Sequence, residues 1–391
     1  MLLGTPQSPA RTLRTLCAAL VLSLFASAAA AETLRIATYE AGLTRDGAGL
    51  LLRDLGGEPD AAIAGALAVI RETRPDILLL TGFDSDPKGR ALAAFARRLA
   101  EGPGGIDYPY RFTAPVNAGE PSGLDLDGDG MGMGWADGWG WGKFPGHGGM
   151  AALSRLPFET GAFRSFTMLR WRDLPGAEMP GHPDGNPWPT PEAAAELRLS
   201  SKAHWDLPVR LPGGGTLHLL ASNPTPPLFD GPEGANRLRN RDEIRFWATY
   251  LGGTAFPDDQ GRTAGPPEAP IIVLGNLNKD PRDGAGLLDG IAALLESGRL
   301  QDVRPASEGG KRAAARQKGA NTRHRTPPAL DTADWRDEGG PGNLRVDYVL
   351  PDAALTVTGA GVFWPAPGAP LAEEAEAASA HRLVWIDVAL P

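Results

Sequence analysis

Apolar residues recur along this chain in two alternating rhythms. Leu34-Arg35-Ile36-Ala37-Thr38-Tyr39 alternates with period two and predicts a first strand. Ile63, Leu67 and Ile70 then repeat at helical spacing over residues 60–74, and Pro75 closes that helix. Asp76-Ile77-Leu78-Leu79-Leu80 reads as a buried strand and Ala91 to Leu99 as an amphipathic helix. Gly149-Met150-Ala151-Ala152-Leu153-Ser154 predicts another strand. His204–Val209 and Thr216–Ala221 predict a hairpin around Gly213-Gly214-Gly215. Asp242 to Leu251 reads as a helix, Ile271 to Leu274 as a central strand and residues 286–297 as a helix. Arg345–Leu350 and Val384–Val388 are the last strands. Strands mixed with helices in this order suggest two packed mixed sheets flanked by helices, an α/β four-layer sandwich. Long loops are expected at about 102–148, 175–195 and 304–343. The 51 Gly and 37 Pro fit such loops around a compact core.

The first 31 residues follow a different pattern. Arg11 and Arg14 precede the apolar run Leu16 to Phe25, and Ala29-Ala30-Ala31 offers a small-residue cleavage site. This is the layout of a secretory signal peptide cut before Glu32, so the expectation is export to a periplasmic or extracellular compartment, with one domain over residues 32–391. The apolar run is short for a bilayer span, and no other stretch is long enough for one. Cys17 is the only cysteine, so a chain cut there has neither disulfides nor thiolate metal ligands.

The whole chain carries 38 basic and 47 acidic residues, a formal charge of −9. Cleavage after Ala31 removes two arginines and leaves a still more acidic protein. Nonspecific DNA binding is therefore not favoured. Oligomeric state cannot be read from the sequence.

Seven segments, in order, resemble the signatures of the endonuclease/exonuclease/phosphatase superfamily. They are Thr38-Tyr39-Glu40, Pro75 to Gly82, Gly149 to Ser154, Asn223 to Pro227, Gly275-Asn276-Leu277-Asn278, Arg345-Val346-Asp347-Tyr348 and Ser379-Ala380-His381. The resemblance implies a hydrolytic centre in which Mg²⁺ or Mn²⁺, held by carboxylates, polarises a phosphoester while a carboxylate activates water. Asn278, Asp347 and His381 match retained family positions, with Asp347 orienting the imidazole of His381. Four positions are substituted: Gly82 stands for the principal metal-binding Glu, Asn223 for a phosphate-stabilising His, Asn276 for the water-activating Asp and Ala380 for a second metal-associated Asp. Glu40 replaces an Asn. An Asn amide has no basic lone pair, and loss of a general base removes roughly 10²–10⁴-fold in rate. The expectation is weak or lost phosphoester hydrolysis, with a phosphorylated small molecule or a phosphodiester as ligand. The alternative is an active phosphodiesterase, nuclease or phosphatase with a metal site rebuilt from Glu40 and Asp84.

Asp125-Leu126-Asp127-Gly128-Asp129-Gly130 has the Asp-x-Asp-x-Asp-Gly form of a calcium loop, but Ala136 holds the twelfth position and Asp137 follows it. A calcium-stabilised structural or interaction protein is a third reading, set against a plain Gly/Asp-rich turn. Trp135, Trp139, Trp141 and Phe144 either stack on a ligand or fold back as a local core. His147 has no partner at metal-ligand spacing, His182 reads as solvated, and His204 and His218 read as packing residues. Arg323, His324 and Arg325 read as a solvated loop, and the Arg239 to Glu243 run as capping and ion pairing rather than chemistry.

Overall fold

The computed structural model describes Met1, Gly4 and residues 33–390. The signal-peptide segment and Cys17 lie outside these residues, apart from Met1 and Gly4.

β1 (Thr33–Leu43) is followed by two short-linked helices, α1 (Leu50–Gly56) and α2 (Ala61–Thr73). Asp60 caps α2 by accepting a hydrogen bond from Ile63 N at 2.8 Å, and Arg74 ends it in the left-handed conformation just before Pro75. Next come β2 (Ile77–Phe83), α3 (Arg90–Ala100), β3 (Tyr110–Phe112) and β4 (Gly149–Ser154). The middle of the chain supplies β5 (Arg164–Ser165), α4 (Pro191–Glu196), β6 (His204–Arg210), β7 (Thr216–Ser222) and α5 (Ala235–Leu251). A ribbon of β8 (Phe256–Pro257) and β9 (Thr263–Ala264) precedes β10 (Ile271–Asn276), α6 (Asp289–Leu295) and α7 (Glu308–Gln317). A second ribbon, β11 (Ala333–Asp334) and β12 (Asn343–Leu344), leads to β13 (Asp347–Pro351), β14 (Val357–Val362), α8 (Ala372–Ala378) and β15 (Val384–Ala389).

The strands form two main mixed sheets, β14-β15-β1-β2-β4-β3 and β13-β10-β7-β6-β5. Alternation along each strand decides what its two faces meet. Ile36, Leu79 and Ile386 of the first sheet pack on Trp205, Leu219 and Ile272 of the second. The opposite face of the first sheet, with Tyr39, Leu78 and Leu80, packs on Ile63, Ile70 and Phe95 of α2 and α3. The opposite face of the second, with Leu220, Val273 and Tyr348, packs on Ile244, Trp247 and Ile291 of α5 and α6. Both faces of the central strands are therefore buried, and the result is the expected α/β sandwich. No helix among the described residues is long and apolar enough to cross a membrane.

Several boundaries differ from expectation. α5 starts at Ala235, and within its first turns Arg239 and Arg241 turn inward to hydrogen-bond Leu199 O and Glu178 while Arg237 stays exposed. Residues 304–343 are not a continuous loop: Ser307 caps α7 by accepting from Gly310 N at 3.0 Å. Gly309 and Gly310 hid that helix, since glycine is a poor helix former. They serve packing, because a Cβ at Gly309 would lie 1.9 Å from Trp364 O. α1, α8 and β14, with their Gly- and Ala-rich or short sequences, escaped the periodicity signal as well.

α5 ties the loops at one end of the sandwich. Glu243 is buried and accepts hydrogen bonds from Ser201 N (2.6 Å), Ser201 Oγ (2.8 Å) and Thr225 N (2.7 Å). Burial pushes its carboxyl up, against the lowering effect of Arg239 and these donors. Asn240 Nδ2 donates to Thr225 O (2.8 Å) and Leu277 O (3.0 Å). We expect Glu243→Ala to destabilise the protein by about 3–5 kcal/mol, as removal of one member of a buried charged network does, measured as the change in urea unfolding free energy. A change below about 0.5 kcal/mol would contradict this role.

Candidate functional site

The loops gathered by α5 border a cleft of about 1570 Å³. That is larger than the ~300–1,000 Å³ usual for a small-molecule pocket. Glu40, Gly82, Lys202, Asn276, Asn278 and His381 all line it.

Glu40 and Gly82 sit side by side because β1 and β2 run parallel, with Glu40 in register with Thr81. The Glu40 carboxylate fills the room that a side chain at 82 would need: a Cβ there would lie 1.7 Å from Glu40 Oε1. Gly82 also has φ +58°, a conformation that disfavours a larger residue. Asn276, at the end of β10, donates through Nδ2 to Glu40 Oε2 at 3.5 Å, a long contact, and accepts from Asn278 N at 2.9 Å. Asn278 Nδ2 donates to Pro224 O at 2.8 Å.

Asn276 pairs with Asp347 across β10 and β13, which brings Asp347 beneath His381. His381 Nδ1 lies 2.9 Å from Asp347 Oδ2, and the same oxygen accepts from Thr332 Oγ1 at 2.8 Å. Trp335 packs its ring edge-on against the imidazole at 5.2 Å between centroids. Burial works to lower the His381 pKa, but the charge and hydrogen bond of Asp347, with Glu40 adding, outweigh it, and the net shift is upward. The imidazolium is thereby favoured, with Nδ1 engaged by Asp347 and Nε2 left for the cleft.

Lys202 was not legible as a site residue. It lies just before β6 in Ser200-Ser201-Lys202, a segment without a motif. Its Nζ lies within 3.4 Å of Trp141 O and 3.5 Å of His147 O. Burial lowers its pKa, countered by the charges of Glu40, Glu243 and Asp84. Lys202 and Glu40 both line the cleft.

The other candidates are placed as follows. Asn223 is buried and lines the cleft, whereas Ala380 is exposed, with its carbonyl accepting from Asp334 N at 2.8 Å. Asp84 is buried. Its Oδ1 accepts from Gly148 N (2.8 Å) and its Oδ2 from Arg45 N (2.7 Å), so both oxygens serve to hold loops together. Asp125 and Asp127 come together with Asp137, and Asp129 stands outside that group. Trp139 is covered by Arg198 at 4.4 Å, while Trp135 and Trp141 remain exposed. His204 is buried between Ser200 Oγ and Glu243 O, and burial pushes its pKa down to about 4.

The donor set at the centre does not fit the Mg²⁺ or Mn²⁺ ion that the fold implies. A hard divalent ion needs several oxygen ligands with matching negative charge. Glu40 is the carboxylate offered there. Asp280 also lines the cleft, but its oxygens accept from Arg282 N, Asp283 N, Thr326 Oγ1 and Arg345 N. Among the described residues, the acidic group able to hold a metal lies elsewhere, in the 125–137 loop.

A family profile described as the Endonuclease/Exonuclease/phosphatase family matches residues 55–381. The chain belongs to this family. Solved structures similar to it include an endonuclease/exonuclease/phosphatase from Beutenbergia cavernae, at 16% identity and TM-score 0.49, covering 92% of this chain and 72% of that one. Sphingomyelinase C from Streptomyces griseocarneus is similar at 15% identity and TM-score 0.44, covering 91% and 99%. The human Nocturnin catalytic domain, solved with a bound sulfate anion, is similar at 14% identity and TM-score 0.44, covering 91% and 94%. No curated protein sequence matches the chain.

The raised pKa of His381 fixes the sign of its contribution to stability. Folding favours the charged imidazole, so the stabilisation is full below the ordinary value of 6.5 and is lost as pH rises through the raised one. We expect Asp347→Asn to lower the His381 titration midpoint by about one pH unit or more, followed by NMR of the imidazole C–H signals. An unchanged midpoint would show that Asp347 does not hold the charge.

Proposed function

We propose that this protein binds a phosphate ester in the cleft and hydrolyses it weakly or not at all. The observation that carries this reading is the position of Glu40. Its carboxylate occupies the space of the missing side chain at Gly82, and the neighbouring acid Asp347 is engaged through Oδ2 by His381 and Thr332. Asn276 lies where a water-activating acid is needed and cannot take a proton. The groups that recognise an anion are present: the imidazolium of His381, the ammonium of Lys202 and the carboxamide of Asn278. Charge-assisted hydrogen bonds from such donors hold phosphate oxygens without any need for turnover.

The ligand class is a phosphorylated small molecule or a phosphodiester. The net charge of −9 disfavours long polyanions, whose affinity comes from neutralising many phosphates. The pattern of residues 1–31 supports export, so the ligand is one met outside the cytoplasm.

Calorimetry with inorganic phosphate at pH 7 should show binding that His381→Ala and Lys202→Ala each weaken by about tenfold or more. Glu40→Gln should tighten phosphate binding in the absence of metal, because it removes a like charge. Bis-p-nitrophenyl phosphate with Mg²⁺ or Mn²⁺ should turn over at a rate that His381→Ala barely changes. Fast hydrolysis abolished by His381→Ala, or by Glu40→Gln, would overturn the reading and establish a working metal centre built on Glu40.

A further inference from the structure

We propose that the loop from Asp125 to Asp137 holds a calcium ion on the wall of the cleft. One carboxylate oxygen from each of Asp125, Asp127 and Asp137 lies within 4.8 Å of the other two. Three negative charges that close repel unless a cation sits among them. The second observation is Asp137 itself. It is only 2% exposed, its Oδ1 accepts from Leu126 N at 2.8 Å, and its Oδ2 has no hydrogen-bond partner. A carboxylate oxygen withdrawn from water and left without a donor carries the full cost of desolvation, which a bound cation removes. Lys143, the nearest cation along the chain, is already paired with Asp46.

The chemistry of the ligands favours calcium over other metals. All three are hard carboxylate oxygens without His or Cys, which points away from zinc. They come from an irregular loop, and Ca²⁺ accepts variable oxygen geometry, whereas Mg²⁺ demands near-octahedral geometry and retains its waters. Asp125 accepts from Gly128 N (2.7 Å) and Gly130 N (2.9 Å), which fixes the carboxylate while leaving each oxygen a further lone pair. The acid that completes the site is Asp137, one position beyond the twelfth residue that a helix-flanked calcium loop would use. Leu126, Asp127, Ala136 and Gly138 line the cleft, so the ion fixes the shape of that wall.

This inference does not rest on phosphate binding, and its test reads a different quantity. The purified full chain is stripped with EGTA and titrated with CaCl₂, by calorimetry and by melting temperature. Tryptophan emission gives a third reading, since Trp135, Trp139 and Trp141 lie in or beside the loop. Calcium at a hundredfold excess over its Kd should raise the melting temperature by roughly 3–5 °C. Asp127→Asn, at an exposed position that leaves the fold intact, should weaken calcium binding about tenfold or more, and Asp137→Asn should abolish it. Asp129→Asn and His381→Ala should both retain the calcium response. The proposal fails if millimolar calcium gives neither heat nor a melting shift, or if Asp129→Asn weakens binding as much as Asp127→Asn. It also fails if His381→Ala abolishes the response, or if Mg²⁺ at equal concentration gives an equal shift.

Discussion

The buried carboxylate of Glu243 holds together segments that are far apart in sequence. It sits on α5 with no access to water, and it is tolerable there because three donors from Ser201 and Thr225 reach it and Arg239 lies near. Those donors belong to the stretches before β6 and after β7. Arg239, one turn earlier, donates to the carbonyls of Leu199, Trp139 and Arg198, and Asn240 reaches Leu277. A single helix thus sets where Lys202, Asn223 and Asn278 can stand. The rigidity of the cleft comes from backbone groups satisfied by buried side chains, which have few alternative partners.

Within that frame, the centre shows an exchange of space between two strands. Position 82 carries no side chain, and the carboxylate at position 40 fills the space beside it. A comparison position by position counts a lost acid at one site and an unexplained acid at another. The parallel register of β1 and β2 makes them one event. Negative charge therefore stands beside position 82, but one carboxylate cannot supply the charge that two would. Lys202 and His381, the latter paired with Asp347, complete the polar lining of the cleft.

Much of the fold could be read from sequence. Leu34 to Tyr39 stands out by its alternation, and Ile77 to Leu80 and Ile271 to Leu274 by their unbroken apolar runs, because both faces of those strands are buried. Ile63, Leu67 and Ile70 mark α2 because they form one buried face. α7 was missed, as Gly309 and Gly310 answer to the backbone of Trp364 and Pro328 rather than to helix propensity. At the site, Asp347, His381, Asn276 and Asn278 were marked by motifs. Lys202 and the role of Glu243 had no such signal, since their side chains hydrogen-bond to groups 18 to 61 residues away.

The sequence by itself determined the α/β sandwich and the family, because each is written in local periodicity or in a short run of residues. Tertiary structure decided which charges are free to act. Asp84, two residues from Gly82, is held outside the cleft lining by the amides of Gly148 and Arg45, while Glu40, from another strand, reaches the space beside Gly82. Asp137 joins Asp125 and Asp127 where Asp129 does not. The physical reason is common to all three: a carboxylate's chemistry depends on its donors and neighbouring charges, and those are supplied by segments that only folding brings together.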